Sequence, residues 1–274
     1  MKIFVQGLWH CGTVISASLA SLNHDVLAFD ENKKTVNNLK RNKTPIYEPG
    51  LNLILKENIK KNKITFTNNL NKVNFAKVIW ITYDTPVNSD DKAEISKITF
   101  KIKDTLKKTK SGKFIIVSSQ LPVGTIRQLE LYSEKVLKKK FHFLCCPENL
   151  RLGSAVNSFI NSERLIIGYR HELARKKLTG FFKSISKNLL WMKIESAEMT
   201  KHAINSFLAS SISFINEIAL ISEQTNANAY EVEEGLRSEP RIGRNAFISP
   251  GAPFSGGTLG RDLNYLNDIS RRLK

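Results

Sequence analysis

Two glycines five positions apart, Gly7 and Gly12 in the run GLWHCG, follow a short apolar segment and open an amphipathic stretch, and Asp30 stands 23 residues beyond Gly7. Glycines at this spacing permit a tight turn that aims a helix N-terminus at a pyrophosphate. An acid closing the second strand can accept ribose hydroxyls. The pattern predicts a dinucleotide site, and Asp30 selects NAD because a carboxylate repels the 2′-phosphate of NADP. Trp9 departs from the pattern, taking the place of the middle glycine that lets the backbone approach the pyrophosphate. The alternative is a doubly wound fold that no longer binds a dinucleotide. A second concentration of polar chemistry lies at 254–262, FSGGTLGRD, where adjacent glycines precede Arg261 and Asp262. A loop built this way can close over a polar ligand. Lys201 and Asn205, four residues apart, share one face of a helix.

These groups need elements to hold them. Apolar runs at 3–5, 26–29, 64–67, 78–82, 114–118 and 141–145 alternate with helix-length amphipathic segments. Such alternation predicts an α/β fold, a doubly wound parallel sheet covered by helices on both faces. A further strand pair, 165–168 and 189–194, brackets a basic helix from about 171 to 186 and completes a Rossmann-like domain over 1–195. From 196 to about 226 no breaker interrupts the chain, and Ala203, Phe207, Ile212, Ile215, Ile218 and Leu220 recur at helical spacing. One long helix is expected there, opening a smaller all-helical domain over 196–274 that contains a Pro/Gly-rich loop at 249–257 and a last helix from about 261.

The 274 residues are 41% hydrophobic and 24% charged, which excludes a disordered or fibrous chain. No unbroken apolar run reaches the roughly 18 residues of a membrane span, and the N-terminus reads as a strand entering a turn rather than a signal peptide. A cytoplasmic protein without a membrane partner is expected. Cys11, Cys145 and Cys146 make no even-numbered framework and read as buried small hydrophobes, with no metal site. The net charge of +17 raises the question of nucleic acid, but the lysines are dispersed along the whole chain. A general attraction for anionic, phosphate-bearing substrates is expected instead, and no nucleic-acid partner.

Several motifs then fall in one order: TPIYEPGL at 44–51, Thr85-Pro86, SQLPVGT at 119–125, PENLRLG at 147–153, EMTKHAIN at 198–205, Asn216-Glu217, RIG at 241–243 and the 254–262 loop. Together they make the chain resemble the UDP-glucose/GDP-mannose dehydrogenase family of nucleotide-sugar dehydrogenases over essentially its whole length. The resemblance implies NAD as cofactor, a nucleotide-sugar substrate, a homodimer formed through the long helix at 196–226, and a role in polysaccharide biosynthesis. It also implies a third domain that would begin where this chain stops. The family reaction oxidises a sugar C6 alcohol to a carboxylate in two hydride transfers, with a cysteine holding the intermediate aldehyde.

Aligned without a gap, Thr258 takes the cysteine's place and Asp262 that of the active-site aspartate. An alcohol has no appreciable anion near neutral pH, so acid-base chemistry at a carbinol is retained while covalent aldehyde capture is not. By resemblance the catalytic set is Glu148, Lys201, Asn205, Asp262 and Thr258: Lys201 and Asn205 position water and stabilise oxyanions, and Glu148 moves protons through water. Gly7, Trp9, Gly12, Asp30, Thr85, Pro86, Ser119 and Gln120 are expected to contact the cofactor. Glu148, Leu150, Lys201, Phe254, Gly256 and Gly257 are expected to contact the substrate, with Arg241 reaching that of a neighbouring subunit. Gln120 and Leu152 replace a family threonine and glutamate. Two readings follow, an NAD-dependent dehydrogenase limited to a two-electron step or a catalytically disabled member that binds or regulates. Simpler roles stay open: Glu148 capping a turn, Asp262 an acid at a helix N-terminus, and Glu198, Lys201 and Asn205 a solvated stripe.

Overall fold

The structure, a computed structural model, describes residues 1–88, 93–148, 150–254 and 258–273. Eight strands form one sheet: β1 (Lys2–Gln6), β2 (Asp25–Phe29), β3 (Ile64–Thr67), β4 (Val78–Ile81), β5 (Phe114–Val117), β6 (His142–Cys145), β7 (Leu165–Tyr169) and β8 (Leu189–Lys193). Their order is β3-β2-β1-β4-β5-β6-β7-β8. The chain reverses direction in strand order between β1 and β4, the switch point at which doubly wound sheets bind ligands. VIWI in β4 and FIIV in β5 are buried along their whole length, as expected of central strands covered on both faces. The β6–β7 pair is antiparallel while all other pairs are parallel, a reversal that alternating hydrophobicity does not encode.

Between the strands lie α1 (His10–Ser21), α2 (Lys33–Lys40), α3 (Leu51–Lys60), α4 (Ile95–Lys108), α5 (Thr125–Lys135), α6 (Ala155–Ile160) and α7 (Glu172–Lys183). A 3-10 turn at Leu70–Phe75 joins β3 to β4. α1 is buried on nearly every side because it is built of small residues, HCGTVISASLAS, which let it pack closely. Trp80 anchors the core, with its ring against Phe159, Phe181 and Phe182 and its indole N–H donating to Ser118 Oγ at 2.7 Å.

The long helix α8 (Ile194–Gln224) starts directly after β8, two residues before the position expected. It is followed by α9 (Ala229–Ser238) and α10 (Leu259–Leu273). The chain divides into two compact units, one of residues 1–85 and 94–198 that holds the whole sheet, the other of residues 86–93 and 199–274. In the second unit Arg237 organises the loop beyond α9: it donates to the carbonyls of Arg244 and Ala246 and to Ser249 Oγ while paired with Glu233. By length and composition alone α8 is apolar enough to cross a membrane, with a mean hydropathy of 1.4 in its most apolar window. Polar residues punctuate the helix, so no unbroken apolar run marks it in the sequence.

Candidate functional site

The turn after β1 is forced by sterics. Gly7 has φ +100°, and a Cβ there would lie 2.7 Å from the Tyr83 ring and 2.9 Å from the Tyr83 backbone nitrogen. A Cβ on Gly12 would lie 1.7 Å from the Gly7 carbonyl oxygen. Both glycines are therefore required, and together they bring the N-terminus of α1 to the carboxyl end of β1. No acidic residue stands in the first turn of α1, which leaves its dipole available to an anion. Trp9 precedes that helix with φ −81°, a conformation that needs no glycine, and its side chain is 52% exposed. Trp9 thus leaves the turn geometry intact.

Asp30 closes β2 beside this turn. Its Oδ2 accepts the Leu8 N–H at 2.8 Å and its Oδ1 the Asn32 N–H at 2.9 Å. Burial raises its pKa above the ordinary value, with the Glu31 charge adding to the effect and the two backbone donors opposing it. Each carboxylate oxygen keeps lone-pair capacity for a ribose hydroxyl. A cavity of about 860 Å³ adjoins these residues, lined by Phe29, Glu31, Asn69, Tyr83, Phe100 and Lys101 among others. A lining that combines side-chain amides with the rings of Phe29, Tyr83 and Phe100 suits a flat heterocycle and its sugar. The two glycines, the open helix N-terminus and this cavity fit a dinucleotide.

Farther along the sheet, the Thr85 hydroxyl donates to the Gln120 carbonyl at 2.5 Å, so the structure brings these two cofactor candidates together. Ser119 Oγ is buried with no partner among the described residues, an orphaned polar atom at the carboxyl end of β5. Pro86 is exposed next to Thr85. Glu148 Oε2 accepts the Leu150 N–H at 2.6 Å, the turn-capping contact, and Leu150 packs against the core. Leu152, at the family glutamate's position, is 66% exposed.

Two further carboxylates were not singled out for a role by their residue type alone. Glu198 is buried and accepts the N–H groups of Gly124 (2.7 Å) and Ile126 (3.1 Å), capping α5 rather than lying on a solvated stripe. Glu48, from the TPIYEPGL motif, accepts from Gly153 at 3.0 Å and Ala155 at 2.8 Å and pairs with His10 at 2.8 Å. Burial opposes its charge, but His10 and the two backbone donors outweigh burial and hold its carboxyl below the ordinary value. A depressed folded pKa contributes stability that is present above the unfolded pKa and lost as pH falls through the folded one. Glu48→Gln is therefore expected to lower the melting temperature at neutral pH, by about 1–3 kcal/mol of stability. The gap from wild type should close below about pH 4. Parallel melts across pH check this, and a gap constant with pH would refute it.

In the second unit, Asp262 is 0% exposed within the first turn of α10. Its Oδ1 lies 3.1 Å from His202 Nδ1, and its Oδ2 accepts from the Asn205 amide. Tyr265 packs edge-on against His202, with ring centroids 5.1 Å apart. The structure thus unites Asn205 and Asp262, and adds His202, which the i, i+4 spacing of Lys201 and Asn205 passed over. An acid buried this deeply is more than a helix-end charge in solvent. Lys201, half-buried, precedes His202 on α8. Thr258 is exposed, and its carbonyl accepts the Asp262 N–H at 3.3 Å. Phe254 is half-buried and Arg241 is exposed, paired with Glu239 at 2.8 Å. Gly256 and Gly257 lie outside the described residues.

Burial pushes the Cys146 thiol up to about 12 and Cys145 well above its ordinary value, so neither supplies a thiolate. No group of three or more metal-ligating side chains occurs among the described residues.

Residues 1–186 match the NAD binding domain of the UDP-glucose/GDP-mannose dehydrogenase family, and residues 195–274 match that family's central domain. The UDP-glucose 6-dehydrogenase TuaD of Bacillus subtilis is 32% identical over 98% of this chain and 59% of its own. Among solved structures, a UDP-glucose dehydrogenase from Pyrobaculum islandicum superposes with a TM-score of 0.90 at 28% identity, covering 99% of this chain and 64% of that one. A UDP-D-ManNAc dehydrogenase from Pyrococcus horikoshii does so with a TM-score of 0.89 at 26% identity, covering 97% and 63%. The chain therefore spans less than two thirds of the length of these relatives.

Proposed function

Because the chain belongs to the UDP-glucose/GDP-mannose dehydrogenase family and carries its NAD-binding domain, we propose that it catalyses NAD-dependent oxidation of the C6 alcohol of a UDP-glucose-like nucleotide sugar, stopping at the two-electron step. NAD, when bound, accepts the hydride. The turn at Gly7 and Gly12 would hold the pyrophosphate, Asp30 the ribose, and Thr85, Ser119 and Gln120 the nicotinamide half. Lys201 stabilises negative charge developing on the carbinol oxygen as its proton leaves to water, and Asn205, fixed by Asp262, orients that water. Glu148, Leu150, Phe254, Gly256 and Gly257 are the substrate contacts proposed with it, and Arg241 serves a neighbouring subunit.

The observation that carries this reading is the fully buried Asp262 held by His202 and Asn205. A buried carboxylate is costly unless it is paired, and one of the two groups that pair it, Asn205, is the residue proposed to orient the water. Thr258 limits the outcome, because the aldehyde has no thiolate to meet. Thr258→Cys is expected to add acid formation in the same site, measurable as a sugar acid among the products. Retention of the aldehyde alone would show that more than the nucleophile is missing.

Exposed Phe207, Phe214 and Ile221 recur every seven residues on α8, a stripe suited to a second copy of the chain. A homodimer in the cytoplasm goes with this reading. The disabled-enzyme alternative draws on Trp9, which replaces the middle glycine of the pyrophosphate turn. Calorimetric titration with NAD⁺, then with UDP-glucose in its presence, while NADH absorbance is followed, separates the two. Binding of both ligands with growing absorbance supports the dehydrogenase, and absence of NAD⁺ binding at millimolar concentration supports the alternative.

A further inference from the structure

The large cavity beside Asp30 contains an arrangement of charge that nucleotide binding alone does not require. Three lysines line it in a chain of formal charge +17, and each is matched by a carboxylate: Lys97 with Glu94 at 2.6 Å, Lys108 with Asp104 at 3.5 Å, and Lys101 with Glu31. The first two are ordinary neighbours along α4 or at its start, of the kind that contributes a few tenths of a kcal/mol. The third joins α4 to the residue immediately after Asp30, and both of its members line the cavity.

That third pair has a built foundation. Tyr83 donates its hydroxyl to Glu31 Oε2 at 2.8 Å and accepts from Gln6 Nε2 at 3.0 Å. Thr105 Oγ1 donates in turn to Gln6 Oε1 at 2.8 Å. Lys101 Nζ stands 4.4 Å above the Tyr83 ring, so the cation is held by the ring face as well as by the acid. Tyr83, Gln6 and Thr105 are all buried. Hydrogen bonds from Lys101 and Tyr83 outweigh the burial of Glu31 and keep its carboxyl below the ordinary value, so it is charged at neutral pH. The network fixes Lys101 against Glu31 instead of leaving it to turn toward a ligand, and the same two charges are felt at Asp30.

Resting on the reading of this cavity as the adenosine half of the NAD site, we propose that Glu31 is a second determinant of NAD over NADP: it engages Lys101, the cation placed to receive a 2′-phosphate, and adds its own carboxylate beside that of Asp30. A ribose 2′-phosphate entering the cavity then faces two acids and a lysine already paired. Without the Glu31 charge, Lys101 is free to make a charge-assisted contact to the phosphate.

The test is a fluorescence titration with NADH and with NADPH of the wild type, Glu31→Gln and the double variant Glu31→Gln/Lys101→Met. Melting curves confirm that each is folded. The quantity compared is the ratio of the two dissociation constants. Glu31→Gln is expected to move that ratio toward NADPH by about tenfold or more. The double variant is expected to return it to near the wild-type value. A ratio within about twofold of wild type in Glu31→Gln would overturn the proposal, and so would a gain that survives in the double variant, since Lys101 would then have no part. If wild type binds neither cofactor, the cavity assignment itself fails and takes the proposal with it. If wild type binds NADH and only the ratio is unmoved, the assignment stands and the proposal alone fails.

Discussion

Gly12→Ala is expected to abolish NADH binding and to destabilise the first unit by about 3 kcal/mol or more, at the upper end of what overpacking a core does. The added Cβ would lie 1.7 Å from the Gly7 carbonyl oxygen and 2.5 Å from Thr82 Oγ1. Its nearest neighbour is backbone, which cannot rotate aside. The Gly7 carbonyl also accepts the Thr82 hydroxyl at 2.9 Å, and the Gly7 N–H donates to the Phe29 carbonyl at 3.0 Å, so the turn is fastened to β2 and to the end of β4. Moving it disturbs three strand ends together. Gly260→Ala is the control: it is a helical glycine with nothing among the described residues within 4 Å of the added Cβ, so its stability should rise slightly or stay unchanged. Thermal melts of both variants, with NADH titrations, check the contrast. An intact melt and retained cofactor binding in Gly12→Ala would mean that the turn is not as drawn.

Lys201→Ala is expected to lower turnover about 10²–10⁴-fold, the range for removing a group that acts on charge in the transition state. Its melting temperature should stay close to wild type. Lys201 is half-buried on α8, one residue before the His202 that touches Asp262. The contacts of His202 and Asn205 with Asp262 do not pass through its side chain. Steady-state kinetics and a melt distinguish this from damage to the fold. Unchanged activity in the folded variant would remove Lys201 from the site.

Much of the first unit could be read from the sequence because parallel strands announce themselves. VIWI and FIIV are apolar at every position, and both lie at the centre of the sheet. GLWHCG and Asp30 fixed the nucleotide turn through steric demands that are local in sequence, and the clashes at Gly7 and Gly12 are those demands in three dimensions. The β6–β7 reversal was not legible, since an antiparallel pair buried on both faces leaves no periodic signature. Nor was the role of Glu198, a helix residue whose partners, Gly124 and Ile126, lie more than 70 positions away. His202 stayed hidden for a related reason: next to Lys201, it does not share that residue's helix face, and only the fold carries Asp262, 60 positions on, to it. The Glu31–Tyr83–Lys101 network likewise joins three segments that no spacing rule connects.

The proposed oxidation ends at the aldehyde. It is tested most directly by counting NADH formed per UDP-glucose consumed by the wild-type chain with NAD⁺ in excess. One NADH per sugar, with a nucleotide-sugar aldehyde as product, is the expected result. Two NADH per sugar with a sugar acid would contradict it by showing that Thr258 does not interrupt the second step, and no NADH while both ligands bind would contradict it by showing that the site binds without reacting.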